Sequence, residues 1–276
     1  MNNFLITVVC LTFNNQEELF ETIQSIVRSA VSVEHLIEVV VIDSSCDPIS
    51  NNNRILLKAM FPPFLSYKYF FVHPSGIFSA MNYSLEHASG LYVNFMNSGD
   101  VFSEQFNLSL ITSSISQYSV DSSKDSSYPY LFYGRTLVQS CLNSLNYLNP
   151  PANVLPHSRY FWNYVVPPGH QSCFFLRSWH LLNLYFPRGH GSDRPIIKRS
   201  LSQAVFVDTV ICYFRLSGSS SMNNLKPKDY FSYFFAIKSP LVKLGFWPKL
   251  LIMILFGDKW EYVRFYRLAL LSFLVF

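Results

Sequence analysis

Leu5-Ile-Thr-Val-Val-Cys-Leu11, followed at once by Thr12-Phe13-Asn14-Asn15, decides the fold. The first seven residues are almost continuously apolar, the pattern of a strand buried on both faces of a parallel sheet. Asn15, with Glu18 three residues on, reads as a helix start, since an Asn side chain can accept a free backbone N–H of the first turn. Leu19, Ile23, Ile26 and Val27 then recur on one helical face.

The same rhythm continues through the first hundred residues. Residues 37–42 read as a second buried strand ending at Asp43, and residues 67–72 as a third, after Pro62 and Pro63. Residues 77–87 read as a helix with Ala80, Met81, Leu85 and Ala88 inward and Gly90 as its C-terminal stop. Residues 91–96 form the next strand, breaking into Asn97-Ser98-Gly99-Asp100, and a helix carrying Leu108, Ile111 and Ile115 follows. This alternation predicts a doubly wound, mostly parallel α/β sheet flanked by helices. Residues 118–129, rich in Ser and Asp, read as a surface loop. Further strands are expected over 130–133, 172–176 and 205–216.

Composition bounds the rest. The 276 residues are 50% hydrophobic, 17% aromatic and 14% charged, and mean hydropathy is +0.19. That fits one large domain over 1–225 and an apolar, basic helical segment over 226–276. The net charge of +4 is scattered, with no basic run, which argues against a nucleic-acid partner and suits weak attraction to an anionic bilayer. Five cysteines show no C-x-x-C spacing, as expected in a reducing, cytoplasmic compartment. No secretory signal opens the chain, and no run of about 20 apolar residues is long enough to cross a bilayer. The segment from Leu241 to Phe276 mixes Leu, Ile and Phe with Lys243, Lys249, Lys259, Arg264 and Arg267. It reads either as an interfacial amphipathic element at the inner face of a membrane or as helices packed on the domain or across a dimer.

In open α/β sheets ligands collect at the carboxyl ends of the strands. Three polar elements stand at such ends here: Thr12-Phe13-Asn14-Asn15, Asp43 and Asn97-Ser98-Gly99-Asp100. Leu11–Asn15 lacks the Gly and Lys of a nucleotidyltransferase phosphate loop, and no G-x-G-x-x-G follows the first strand as in dinucleotide-binding oxidoreductases.

Val8-Val-Cys-Leu-Thr-Phe-Asn14 and Glu38-Val-Val-Val-Ile-Asp43 resemble the opening of family 2 inverting glycosyltransferases, which have the GT-A fold. Gly76-Ile-Phe-Ser-Ala-Met-Asn82 and Asn94-Phe-Met-Asn-Ser-Gly-Asp100 resemble the subgroup with an AMN helix and an N-S-G-D metal motif. Gly169-His-Gln-Ser172, Ser192-Asp193 and Tyr213-Phe-Arg-Leu-Ser-Gly218 fall where that subgroup has its acceptor-side elements.

The resemblance implies roles for individual residues. Asp100 would hold a divalent cation, Mn²⁺ or Mg²⁺, against the donor diphosphate, with Asn97 where other members carry the first Asp of D-x-D. Asp43 would accept from the nucleobase, and Thr12, Phe13 and Asn14 would line base and ribose. Ser75, Gly76 and Asn82 would approach the donor, His170 and Gln171 would line the acceptor, and Asp193 would be the general base. A salt-bridged loop Asp is the other reading of position 193, because Arg194-Pro195 reads against a helical continuation. Pro74, Ser79 and Ser44 stand where relatives often carry acidic residues. The expected activity is inverting transfer of a sugar from a nucleotide-diphosphate donor, a UDP-sugar, to a hydroxyl of a lipid-linked glycan in surface polysaccharide synthesis. The alternative is a catalytically silent GT-A-like protein that binds nucleotide or a partner.

Overall fold

The computed structural model describes residues 4–120, 128–139, 146–152, 159, 163, 166–186 and 192–215. Two units are distinguished, Met1–Gln139 with Leu148–Arg215, and Ser140–Tyr147 with Leu216–Phe276. Every candidate site residue, from Thr12 to Asp193, belongs to the first. The expectations for 226–276 lie outside the described residues.

The opening strand, β1 (Ile6–Thr12), is buried at every position. The helix α1 (Gln16–Ser29) begins where the sequence places it, with the Asn15 side chain accepting from the Glu18 amide. Its Leu19, Ile23 and Ile26 are fully buried, worth about 2 kcal/mol each in area removed from water. β2 (Ile37–Asp43) follows, then α2 (Asp47–Met60) and β3 (Ser66–Phe71).

The sequence pattern passes over α2, and its composition explains why. It buries only Ser50, Asn53 and Leu57, so no apolar stripe announces it, and Asn and Ser are poor helix formers. Pro48 near its start suits a helix N-terminus, where the missing N–H has no partner to lose.

α3 (Ile77–His87) has the expected bounds, and Ala80, Met81, Leu85 and Ala88 are buried as expected. β4 (Tyr92–Asn97), β5 (Val101–Phe102) and α4 (Ser109–Val120) come next, so the helix runs into the stretch expected to be loop. β6 (Leu131–Gln139), β7 (Asn146–Asn149), β8 (Cys173–Leu176), α5 (Arg177–Leu181), α6 (Asp193–Ser200) and β9 (Ala204–Arg215) complete the described strands and α-helices.

Strand order is β3-β2-β1-β4-β8-β6-β9-β5. The first four are parallel. β8 is antiparallel to both β4 and β6, while β9 runs parallel to β6 and antiparallel to β5. The sheet is therefore mixed, and the doubly wound half is β1–β4. Residues alternate along β1 between two cores, Ile6, Val8 and Cys10 meeting α1 and α4, Val9 and Leu11 meeting α3 and α6.

Gly90 does not cap α3. Its amide donates to the Thr7 hydroxyl at 2.8 Å, and a Cβ there would lie 2.6 Å from the Ile6 carbonyl carbon. The residue is glycine because β1 backbone lies against it. Gly90→Ala should cost roughly 3 kcal/mol or more, since backbone rather than a movable side chain occupies the space. Urea denaturation would read this as a lower midpoint at unchanged slope.

Glu38 is the least expected core residue. It is fully buried in β2, accepts from the Thr7 hydroxyl at 2.8 Å and the Ser89 amide at 2.7 Å, and pairs with Lys68 at 2.6 Å. Its partners come from three separate stretches of chain, so no local pattern could reveal them.

Candidate functional site

Parallel pairing fixes which residues share the carboxyl edge. Thr12 lies opposite Asp43, and Leu11 opposite Asn97. The polar strand ends picked out in the sequence therefore stand side by side.

The turn after β4 is the most constrained element. The Asp100 amide donates to the Asn97 carbonyl and the Asn97 amide to Asp100 Oδ2, both at 2.9 Å. Gly99 has φ 93°, a conformation at the third turn position that favours glycine. A Cβ at Gly99 would also lie 2.8 Å from Glu18 Oε2. Thr22 on α1 grips the turn from below, donating to the Asp100 carbonyl at 2.8 Å while the Gly99 amide donates to its hydroxyl at 3.0 Å. Ser98 is tied to Leu11, amide to carbonyl at 2.8 Å.

Asp100 is 5% exposed, and Gln171 Nε2 donates to its Oδ1 at 3.2 Å. Burial pushes its carboxyl up to about 7; hydrogen bonds from Asn97 and Gln171 oppose that, and the nearby Glu18 charge adds to it. A carboxyl so placed is half-ionised near neutrality.

The loops after β1 and β2 are laced together. Asn14, at φ 52°, donates its amide to the Ser45 hydroxyl at 2.8 Å and accepts from the Cys46 amide at 2.9 Å. Phe13 is 60% exposed at the tip, whereas Thr12 is buried with its hydroxyl near the Asn15 carbonyl. Asp43 is fully buried and accepts from the Ser45 amide, Asn53 Nδ2 and the Tyr69 hydroxyl, each at 2.8 Å. In this state its donors are all internal, and it shapes the loop that would meet a base. Asp43→Ala should destabilise by about 3–4 kcal/mol, because the buried Ser45 amide and Asn53 side chain lose their acceptor, while the half-buried Tyr69 hydroxyl keeps the Ser50 carbonyl. Chemical denaturation measures this directly.

The structure joins two expectations held apart in the sequence: Gln171 touches Asp100. His170 beside it is buried against Phe95, its Nε2 2.5 Å from the Tyr185 hydroxyl, which also lies 2.9 Å from His180 Nε2. Burial lowers both imidazole pKa values, His180 to about 4, so both rings are neutral at pH 7. Tyr185 also fastens its own backbone to Asn82, donating to Oδ1 at 2.9 Å and accepting from Nδ2 at 2.8 Å. Both ends of the Asn82 amide are thereby used. Ser75 and Gly76 lie in the exposed stretch leading into α3.

Asp193 opens α6, which continues through Pro195. A proline in the first turn breaks nothing, because its N–H would have no intrahelical acceptor. Asp193 is partly exposed, has no hydrogen bond or ion pair among the described residues, and its charge is felt by buried His170 and Tyr185. It therefore lies near the His170–Gln171 turn.

The donor set suits a hard divalent cation. Beside the Asp100 carboxyl, Asn97 Oδ1 is buried with no partner. Among the described residues no three His, Cys, Asp or Glu side chains converge as a metal cage. One carboxylate and an amide oxygen, completed by phosphate oxygens, fit Mg²⁺ or Mn²⁺.

Several site residues carry little or no mark in the sequence. Thr22 and Ser25 are buried polar residues on α1, and Ser25 receives the Phe102 amide at 3.1 Å. Glu18, Thr22, Ser25 and Ser29 recur at helical spacing, a polar stripe that carries the signal. Asn53, Tyr69 and Tyr185 have no such mark.

No family model matches the sequence, and no curated protein does. Solved structures do match in fold. S. aureus TarS 1-349 in complex with UDP-GlcNAc aligns with TM-score 0.58 at 15% identity over 84% of this chain and 64% of that one. A second structure of TarS 1-349 gives 0.57 at 15% identity over 84% and 63%. This chain thus spans less than two thirds of the length of those structures. Mannosyltransferase PcManGT from Pyrobaculum calidifontis, in complex with GDP-Man and Mn²⁺, gives 0.52 at 15% identity over 94% and 72%. The mixed sheet flanked by helices is the GT-A fold of these glycosyltransferases.

Proposed function

We propose that the chain is a nucleotide-sugar-dependent glycosyltransferase that transfers one sugar with inversion to a hydroxyl acceptor. The observation that carries this is the Asn97–Asp100 turn, which holds a buried carboxyl at the sheet edge, beside Thr12 and Asp43 and in contact with Gln171. The solved neighbours that bind UDP-GlcNAc or GDP-Man share the fold, which supports a nucleotide-diphosphate donor, a UDP-sugar being the first to test.

In this reading Thr12, Phe13, Asn14 and Asp43 form the base and ribose end, and Ser75 and Gly76 approach the sugar. Asn97 and Asp100 would hold a divalent cation, which would supply neutralisation of the charge growing on the leaving diphosphate. Asn82 and Tyr185 brace the wall between donor and acceptor, and His170 supports Gln171 from behind. Asp193 takes the acceptor hydroxyl proton as the oxygen attacks the anomeric carbon from the face opposite the diphosphate. The acceptor is a lipid-linked glycan, and the enzyme works at the inner face of a membrane. Among the described residues no helix is long and apolar enough to cross one.

Calorimetric titration with UDP, with and without Mn²⁺, tests the donor assignment, and GDP, CMP and dTDP test the base. No binding by any nucleotide would overturn it. A second reading, a catalytically silent GT-A-like protein that binds nucleotide or a partner, is favoured by Pro74 and Ser79, which stand where relatives often carry acidic residues. Tight donor binding with neither hydrolysis nor transfer would establish that one instead.

A further inference from the structure

Beyond α5 the chain presents large apolar side chains to water in alternation. Leu182 is 86% exposed, Leu184 49% and Phe186 69%, while Tyr185 between the last two is 2% exposed. The alternation is imposed from inside. Tyr185 is fixed by the Asn82 amide and by two imidazoles on its hydroxyl, which leaves Leu184 and Phe186 on either side of it exposed, while Leu182 closes α5 in helical backbone. Isolated exposed leucines need no explanation, but three large apolar groups within five residues on a fixed segment do.

α6 lies along the same segment and is tied to it at both ends. Arg199 Nη1 donates to Asn183 Oδ1 at 3.2 Å, and the Ser192 hydroxyl donates to the Phe186 carbonyl at 2.9 Å. The helix carries Arg194, Lys198 and Arg199 against a single acid, Asp193. The cations stand close enough that partial burial and Arg194 together lower the Lys198 pKa. Apolar side chains bordered by clustered cations are what an anionic bilayer surface accepts, the first entering the acyl boundary and the second meeting headgroup phosphates.

We propose that Leu182, Leu184 and Phe186, with Arg194, Lys198 and Arg199, form a docking surface for an anionic lipid bilayer. Its bearing on function rests on the glycosyltransferase reading: Asp193 is the first residue of the docked helix, so the acceptor side would face the membrane in which a lipid-linked acceptor is anchored.

The test is co-sedimentation of the full chain with phosphatidylcholine vesicles, with and without phosphatidylglycerol, beside calorimetry with UDP. The wild type should sediment with the anionic vesicles only. Leu182→Ser/Leu184→Ser/Phe186→Ser should lose that binding, and Arg194→Gln/Arg199→Gln should weaken it about 30-fold, from the usual strength of two cations at an anionic surface. Both variants should keep the wild-type melting temperature and response to UDP. Wild type that ignores anionic vesicles, or a triple variant that sediments like wild type, would overturn the proposal. So would a triple variant altered only in oligomeric state by light scattering, which would make this face a contact between copies. Failure of UDP binding with vesicle binding intact would instead sink the donor assignment and leave the docking surface standing.

Discussion

Asp100→Asn should abolish Mn²⁺-dependent UDP binding and lower sugar transfer at least about a hundredfold, the scale expected when charge stabilisation of a leaving group is removed. Asn is the informative substitution because it keeps the shape that the Asn97 amide and Gln171 hold. It removes the charge and turns one of the two acceptor oxygens into a donor, which Gln171 can meet by turning its own amide oxygen toward it. It also imitates the protonated acid, which yields a pH test. With its carboxyl raised to about 7, wild-type Asp100 is mostly neutral at pH 6, and a cation must then displace a proton. Cation affinity should fall about tenfold per pH unit below 7, while the variant should show no affinity to lose. Stability runs the opposite way. The acid has its ordinary value of 3.8 when unfolded and about 7 when folded, so between those limits the native state binds more protons. This group's contribution to stability is therefore greatest below about pH 4 and declines as pH rises toward 7. The Asn variant lacks that slope, so the difference in urea midpoint between the two proteins should move steadily in the variant's favour as pH rises across the window.

How far the sequence reads depends on where the information sits. β1, β2 and α3 are legible because each carries its own signal, a doubly buried apolar run or a helical face closed by its neighbours. Residues 12, 43 and 97 can be brought together from pattern alone because parallel strands deliver their carboxyl ends to one edge. The conformation of that edge is not legible. Asp43 reads as a polar strand end, yet its partners Asn53 and Tyr69 lie 10 and 26 residues away, one of them on a helix with no apolar stripe. Gly90 reads as a helix stop because nothing local reveals that the β1 backbone lies against it. The acceptor side is least legible of all. Its organiser, Tyr185, draws together Asn82, His170 and His180 from three separate stretches, and a lone tyrosine in the middle of a sequence has no periodicity to betray it. The parts of a site fixed by strand register can be read; the parts fixed by tertiary hydrogen bonds cannot.

Asp193→Asn should leave UDP binding intact and reduce turnover by about 10²–10⁴, the usual worth of a positioned general base. The contrast with Asp100→Asn is what gives the experiment its force, since the two carboxyls sit in unlike surroundings. Asp100 is buried and held by Asn97 and Gln171. Asp193 is partly exposed at the first position of α6, with no hydrogen bond among the described residues. A carboxyl left without internal partners can receive a proton from an incoming hydroxyl, whereas a structural one would be expected to spend its oxygens on the fold. Its amide replacement should accordingly cost little stability, because nothing buried depends on it, and the loss should appear in kcat with the donor KM unchanged. Full activity in the variant would remove Asp193 from the chemistry and return it to the salt-bridged loop residue that its sequence context also allows. Loss of both donor binding and melting temperature would point to a role in holding α6 against the Tyr185 cluster. Only the separation of the two variants, one losing the donor and the other losing the step, fits a single displacement in which the leaving group and the nucleophile are served from opposite sides of the same sugar.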